Sequence, residues 1–231
     1  MKNRILIIAA HPDDEILGCG GTVSRLVKEG SEISVIILGQ GMPSRAQVKE
    51  GEEENGYPAL LKEQSRQANR IIGVKDLYFY DLPDNQFDTV PLLVIVKIIE
   101  DLKKKLQPDI IFTHFSGDLN VDHRITYQAV LTAARPVPNE SVKEIYSFEI
   151  ISSTEWNFPT SFQPDLFFDI EDTIGLKLEA LKKYNEELNR FPHPRSLEGV
   201  ELNARSWGMK TGIKYAEAFK VVRILRRLSS L

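Results

Sequence analysis

The sequence predicts a single α/β domain over residues 1–231, in which a mostly parallel sheet is flanked by helices. Short apolar runs, typical of strands buried on both faces, alternate with amphipathic segments of helical length. A strand, a helix and a second strand fit within residues 5–38, and a crossover of this kind joins parallel strands. The chain of 231 residues shows no internal repeat and no linker, which favours one domain.

The elements of the N-terminal half are predicted from apolar or aromatic runs and from the residues that stop them. The strands are residues 5–9, 33–38, 77–80 and 109–113. The helices are residues 16–28, residues 59–72, a segment opened by Pro91, and residues 122–134. Gly30 and Gly73 end the first two helices as C′ glycines, and Pro136 ends the last. The polar stretch between residues 39 and 58 is expected to form a long loop over the sheet.

The pattern weakens beyond residue 134. Strands are expected over 144–150 and 166–170, and an amphipathic helix over 173–188. Residues 189–212 are rich in proline, glycine and arginine and predict a loop. The final segment, YAEAFKVVRILRRL, is compatible with a strand or a helix. We therefore expect an irregular C-terminal third that shapes a site.

Composition excludes several classes of protein. A net charge of −4 gives no basic footprint for nucleic acid. The single cysteine, Cys19, permits no disulfide within the chain and favours a reducing compartment. The first apolar run stops at His11 without a cleavage pattern, and no run approaches the ~20 residues that span a bilayer. We expect a cytoplasmic protein without stable membrane insertion, and the sequence is compatible with a homo-oligomer.

Histidines and carboxylates concentrate where two of the predicted strands end. HPDDE, residues 11–15, directly follows the first strand, and HFSGDLNVDH, residues 114–123, follows the strand DIIFT. In open parallel sheets, ligands bind at the carboxyl ends of the strands. Both segments are therefore expected at the same edge of the sheet, where they would face a common site.

The residue types in these two segments suit one zinc ion per chain. A catalytic zinc ion takes three protein ligands, drawn from imidazoles and carboxylates, and keeps one position open. His11 and Asp14 are three residues apart in a tight turn, and His123 is the best candidate for a distant third ligand. Asp13 then lies beside the ion as a spare carboxylate, which can take a proton from water and pass it to a leaving amine.

Several neighbours of these residues allow two interpretations. Glu15 and Asp122 could cap helix N-termini or support the site from outside the ligand set. His114 could replace His123 as the third ligand. Arg45 and Arg195 could bind a phosphate or carboxylate of a substrate, although solvated arginines are common.

The glycines of GCGG, residues 18–21, do not fit the dinucleotide pattern GxGxxG, because Val23 occupies the last glycine position. Close packing of a helix on the sheet accounts for them better. Cys19 within this segment is then a small packed residue rather than a ligand.

Taken together, AHPDDE after an N-terminal strand, the following GCGGT and the later DLNVDHR resemble the PIG-L/LmbE-like de-N-acetylase family. The segments YAEAF and HPRS resemble bacterial members more weakly. The resemblance implies a Rossmann-like fold and a zinc-dependent removal of acetyl groups from N-acetylated amino sugars. It also implies that His11, Asp14 and His123 are zinc ligands and that Asp13 is the general base.

One position departs from the family pattern. Many members carry a histidine three residues before the last ligand, where it assists the substrate carbonyl, and this chain has Asn120 there. An asparagine amide can donate a hydrogen bond to an oxyanion, but it cannot transfer a proton as imidazolium can. The acid role then falls either on Asp13 alone or on His193, which the C-terminal loop could bring to the site. The donor to the oxyanion is either Asn120 or His193.

The sequence thus predicts a zinc amidohydrolase that cleaves an acetamide from an amino sugar or a related small N-acyl glycoconjugate. Two other classes remain open at this point. A phosphoesterase could use the same carboxylates with magnesium or manganese, which accept oxygen-rich sites. A non-catalytic module that binds metal or sugar would also contain these ligands, although it would have no use for Asp13.

Overall fold

The computed structural model of the chain describes residues 3–41, 57–159 and 161–226, and seven strands of this part form one sheet. The strands are β1 (Arg4–Ala9), β2 (Glu32–Gly39), β3 (Asp76–Leu82), β4 (Ile110–His114), β5 (Glu144–Phe148), β6 (Leu166–Asp169) and β7 (Ala216–Ile224). The helices are α1 (Asp14–Lys28), α2 (Tyr57–Ile71), α3 (Leu92–Leu106), α4 (Val121–Ala133), α5 (Ile174–Leu181) and α6 (Leu197–Thr211). None of the helices in the described ranges has the length and apolar character needed to cross a bilayer.

The order across the sheet is β3-β2-β1-β4-β5-β7-β6, and only β7 runs against its neighbours. The pairs among β1 to β5 are parallel, with Ile7 of β1 opposite Val35 on one side and Phe112 on the other. The prediction of a mostly parallel sheet is confirmed. Because β1 and β4 are neighbours, the segments that follow them emerge side by side at the carboxyl edge of the sheet.

The core lies on both faces of the sheet, which explains why β1 is apolar at every position after Arg4. Ile5 and Ile7 pack on the face that is covered by α1, α2 and α5. Leu6 and Ile8 pack on the opposite face, beside residues of α3 and α4. Alternate side chains of one strand enter two different clusters, so a polar residue at any of these positions would be buried.

The C-terminal third is more regular than the sequence predicts. The helix expected over 173–188 ends at Leu181, and the loop expected over 189–212 contains α6. Gly199 and Gly208 weaken the helical signal of α6 in the sequence, but close contacts with other backbone require both of them. A Cβ on Gly199 would lie 2.4 Å from the Pro194 carbonyl oxygen, and a Cβ on Gly208 would lie 2.6 Å from that of Ile213.

Helix α1 contains a kink at Cys19, where the backbone leaves helical dihedral angles (φ −148°, ψ 15°). The N–H groups of Gly21 and Thr22, just after the kink, donate to the Glu217 carboxylate of β7 at 3.0 and 2.6 Å. Lys177 of α5 pairs with Glu217 at 2.6 Å and donates to the Leu17 carbonyl oxygen before the kink at 2.7 Å. A buried ion pair therefore satisfies the backbone groups that the kink leaves free.

The glycines of GCGG let this kinked helix approach the sheet closely, as predicted. A Cβ on Gly18 would lie 2.3 Å from the Phe148 ring, and a Cβ on Gly21 would lie 2.9 Å from Ile170. Cys19 is buried and unpaired, which agrees with its predicted role as a small packed residue.

We expect Glu217→Ala to lower the free energy of unfolding by about 3–5 kcal/mol, because it leaves Lys177 buried without its counter-ion. Glu217→Gln should cost less, since an amide oxygen can still accept the two N–H groups. Urea unfolding measures both. Lys182→Ala, which removes an exposed ion pair with Glu179, is the matched control and should change stability little. A similarly small effect of Glu217→Ala would show that the pair does not support the kink.

Candidate active site

The HPDDE turn joins β1 to α1 at the carboxyl edge of the sheet. The Ala10 N–H donates to His114 Nε2 at 2.8 Å, which fastens the start of the turn to the end of β4. Asp13 then adopts a left-handed backbone conformation with φ 97°, which is uncommon for a residue with a side chain. Its carbonyl oxygen accepts the N–H groups of Ile16 and Leu17, and α1 begins there. Asp14 is therefore held at the first position of the helix.

Three of the predicted site residues meet around one point. Asp14 Oδ2 lies 3.3 Å from His11 Nδ1 and 3.4 Å from His123 Nε2, and the three ligand atoms lie within 4.8 Å of one another. Asp14 and His123 are buried. Asp14 Oδ1 and His123 Nε2 find no hydrogen-bond partner within the described ranges. A divalent cation between these side chains would satisfy both atoms, so the residues fit a metal ion.

The electrostatics of the site reflect several charges in a small buried volume. Burial lowers the pKa of His11, but hydrogen bonds with Asp122 and Asp14 outweigh it and raise that pKa to about 10. Burial disfavours the charged form of Asp14, yet the neighbouring histidines, His123 and His114 foremost, hold its pKa well below the usual range. Asp14 is thus a carboxylate despite being fully buried.

Two outer carboxylates orient the two histidines. Asp122 Oδ2 lies 2.9 Å from His11 Nε2, and its other oxygen accepts the Phe87 N–H at 2.9 Å. Asp118 Oδ1 lies 3.0 Å from His123 Nδ1, an ion-pair contact whose angles are not those of a hydrogen bond. Each contact uses the ring nitrogen that faces away from Asp14, which leaves the opposite nitrogen for a metal.

Asp118 is itself held by hydroxyl groups at the start of the segment after β5. Ser153 donates to one of its oxygens, and Thr154 donates to the other at 2.5 Å. Burial raises the pKa of Asp118, but the contact with His123 and these two donors lower it to about 2. Asp118 is therefore a fixed, ionised partner for His123.

The structure separates the two roles considered for Asp122. Asn120, rather than Asp122, is the N-cap of α4, because its side-chain oxygen accepts the Asp122 N–H at 2.8 Å. Its Nδ2 donates to Asn85 Oδ1 at 3.1 Å beside the candidate site.

His114, considered as an alternative ligand, has its Nε2 occupied by the Ala10 N–H.

Glu15 supports the turn from inside the protein. Its Oε2 accepts the Asp13 N–H at 3.1 Å, and its Oε1 accepts from Asn69 of α2 and from the Tyr184 hydroxyl at 2.7 and 2.8 Å. Burial raises the pKa of Glu15 to about 7, which these donors only partly offset. The sequence suggests that Glu15 supports the site from outside the ligand set, but it does not indicate Asn69 and Tyr184 as its partners.

Asp13 faces a cleft of about 150 Å³, and its carboxylate is bound by an arginine. Arg195 Nη1 donates to Asp13 Oδ2 at 3.0 Å. Burial raises the pKa of Asp13 well above its ordinary value, although Arg195 opposes this shift. The cleft is lined by His11, Pro12, Asp13, Gly41, Leu61, Asp84, Asn85, Asn120, Glu187 and Arg195.

Two predicted residues stand apart from this arrangement. His193 is absent from the described cleft lining; its Nδ1 accepts the Arg195 N–H at 3.1 Å, and its ring meets the edge of Trp156. Its assisting role stays a prediction. Arg45 lies outside the described residues.

Sequence reasoning missed Asp84 and Asp118. Asp84 Oδ1 lies 3.3 Å from His11 Nε2, so His11, Asp84 and Asp122 form a second group within ligand distance. The segment PDN, residues 83–85, follows β3 as HPDDE follows β1, so the rule about strand ends could have indicated Asp84. The contact of Asp118 with His123 depends on how the loop after β4 folds back, which no local pattern indicates.

Comparison with known proteins shows which family the chain resembles. The family model described as "PIG-L: GlcNAc-PI de-N-acetylase" matches residues 6–134. A protein of Escherichia coli K12 named "Uncharacterized deacetylase YaiS" is 30% identical over 191 residues, covering 79% of this chain and 91% of the relative. Diacetylchitobiose deacetylase of Thermococcus kodakarensis is 26% identical over 229 residues, covering 95% and 83%.

The fold is also similar to solved structures. The N,N′-diacetylchitobiose deacetylase of Pyrococcus horikoshii superimposes with a TM-score of 0.77 at 22% identity, covering 96% of this chain and 84% of that one. Protein TT1542 of Thermus thermophilus superimposes with a TM-score of 0.74 at 22% identity, covering 99% and 98%. The α/β architecture is therefore shared along nearly the whole chain.

We expect Asp118→Asn to weaken metal binding by about 10–100-fold, because the partner that orients His123 loses its charge. Titration of Zn²⁺ against a competing chelator measures the affinity. Asp76→Asn, at the exposed start of β3, is the matched control, and thermal melts without metal check folding. Equal affinity in wild type and Asp118→Asn would refute the orienting role.

Proposed function

Since the chain belongs to the PIG-L family of de-N-acetylases, we propose that it is a zinc-dependent hydrolase that removes the acetyl group from an N-acetylated amino sugar or small glycoconjugate. Relatives named for this chemistry support the substrate class. One is the diacetylchitobiose deacetylase of Thermococcus kodakarensis, and another is the probable N-acetyl-α-D-glucosaminyl L-malate deacetylase 2 of Bacillus cereus, which is 24% identical over 189 residues.

The observation that carries the proposal is the group formed by His11, Asp14 and His123, with Asp13 directly beside it. Two imidazoles and one carboxylate are a ligand set of catalytic zinc sites, whereas magnesium prefers an all-oxygen set. The phosphoesterase alternative is therefore less well matched. A bound zinc ion would polarise the amide carbonyl and make a water molecule more acidic at neutral pH.

Asp13 is the group that moves protons in this proposal. Its carboxylate accepts a proton from the water whose oxygen attacks the amide carbon. When the carbon–nitrogen bond breaks, Asp13 returns that proton to the departing nitrogen. The products are acetic acid and a neutral amine, and transfer of the second water proton from the acid to the amine then gives acetate and an ammonium group, so atoms and charge balance. The Asn120 amide, which lines the cleft, is a hydrogen-bond donor suited to the developing oxyanion.

The cleft gives the rest of the substrate a polar surface. Asp84, Asn85 and Glu187 line it together with Asn120, and carboxylates and amides are suited to bind sugar hydroxyls. We therefore expect the acetamide of a sugar to reach Asp13 through this cleft.

We expect Asp13→Asn to retain zinc and to lose about 10²–10⁴-fold in kcat, because an amide cannot accept the proton from water. Acetate and new primary amine are measured after incubation with N-acetylglucosamine, N,N′-diacetylchitobiose and nucleotide-linked N-acetyl sugars. Metal content is determined for each protein.

The matched control is Asp172→Asn, an exposed carboxylate outside the cleft, which should match wild type. Full activity of Asp13→Asn would rule out the base assignment. Zinc-loaded wild type that releases no amine from any N-acetylated sugar would contradict the proposed function itself.

A further inference from the structure

We propose that Arg195 is a positioning residue: it fixes the carboxylate of Asp13 for proton transfer and is not a binding group for substrate anions. The inference rests on the proposed function, since it concerns the base of that reaction. It replaces the expectation from sequence that Arg195 binds a phosphate or carboxylate of the substrate.

The guanidinium of Arg195 is held at two of its nitrogens. Nη1 donates to Asp13 Oδ2 at 3.0 Å, and Nε donates to the Ser152 hydroxyl at 2.8 Å. Because the guanidinium is planar, two partners on different nitrogens set the orientation of the whole group. Its side chain is 21% exposed and that of Asp13 is 5% exposed, so water competes weakly for the contact.

The backbone of Arg195 is also fastened. Its N–H donates to His193 Nδ1 at 3.1 Å, and its carbonyl oxygen accepts the Asn189 N–H at 3.1 Å. The next residue, Ser196, is the N-cap of α6, where its hydroxyl accepts the Gly199 N–H at 2.9 Å. Hydrogen bonds therefore hold the HPRS turn in place and position Arg195 beside Asp13.

Asp13 is held at its main chain as well as at its side chain. Its backbone is left-handed, with φ 97°, and its N–H donates to Glu15 Oε2 at 3.1 Å. Glu15 thereby fixes the main chain, and Arg195 fixes the side chain. The arginine occupies Oδ2, so Oδ1 is the oxygen left to accept a proton.

The charges around the cleft also argue against an anion site. Arg195 is the one lysine or arginine among the described residues that line it, and its charge is matched by Asp13. Asp84 is a second carboxylate that lines the same cleft. A substrate phosphate would have to take Arg195 away from Asp13 and would meet these carboxylates.

Steady-state kinetics of Arg195→Met and Arg195→Lys on two substrates tests the inference. The neutral substrate is N,N′-diacetylchitobiose, and the anionic one is N-acetylglucosamine 6-phosphate. We expect Arg195→Met to lower kcat by about 10²-fold on both substrates with little change in KM, because a displaced base costs turnover rather than binding. Arg195→Lys should recover part of the loss, and added guanidinium should partly restore kcat in Arg195→Ala.

Arg190→Met, an exposed arginine of the same loop, is the matched control and should match wild type. Ser152→Ala should lower kcat less than Arg195→Met, since it removes only the contact at Nε. Zinc content and melting temperature are measured for every variant, and we expect zinc content to stay at the wild-type level.

A rise in KM confined to the phosphorylated sugar, or unchanged kcat in Arg195→Met, would overturn the inference while the proposed deacetylase function stands. Failure of guanidinium to restore any activity, together with a low melting temperature in all three variants, would assign Arg195 a structural role only. Wild-type enzyme without amine release would reject the function and the inference together.

Discussion

The site depends on the complete burial of one carboxylate, that of Asp14. A charge at 0% exposure needs strong compensation, and the imidazoles of His11 and His123 lie 3.3 and 3.4 Å from its Oδ2. His11 comes from the same turn, while His123 comes from the start of α4, just after β4. The adjacency of β1 and β4 makes this convergence possible, because both strands end at the same edge of the sheet. That placement brings the proposed metal ligands together.

The C-terminal third holds this arrangement in place. Glu217 and Lys177 stabilise the kink in α1, where Gly18 packs closely against Phe148 and Gly21 against Ile170. Arg195 reaches the Asp13 carboxylate from the turn before α6. The segment YAEAF has no evident role from sequence alone. In the structure its Glu217 is buried and accepts the N–H groups of Gly21 and Thr22 that the kink in α1 leaves free.

The predictable parts of the molecule are those with local signals. The strands could be predicted from sequence because a buried apolar run ends where charged residues begin. The metal site could be predicted because the residue types in HPDDE suit few kinds of chemistry. Helix α6 was missed because Gly199 and Gly208, needed for close contacts with other backbone, lower the helical signal. Asp118 and the partner of Arg195 were missed because their contacts join residues far apart in the chain, such as Asp118 with Ser153. Such contacts are set by tertiary folding, which a single sequence does not encode in any short window.

The division of the site along the chain has a consequence for biosynthesis. All three proposed metal ligands lie before residue 134. Tyr184 and Arg195, which contact Glu15 and Asp13 of the HPDDE turn, come later, and so does Glu217, which holds the kink in α1. A nascent chain that has emerged only through α4 already contains the three proposed metal ligands. It still lacks Arg195, which is proposed to position the Asp13 carboxylate, and Tyr184, which holds Glu15. Metal capture during synthesis could thus precede catalytic competence, and hydrolysis would begin only when the last strand has entered the sheet between β5 and β6.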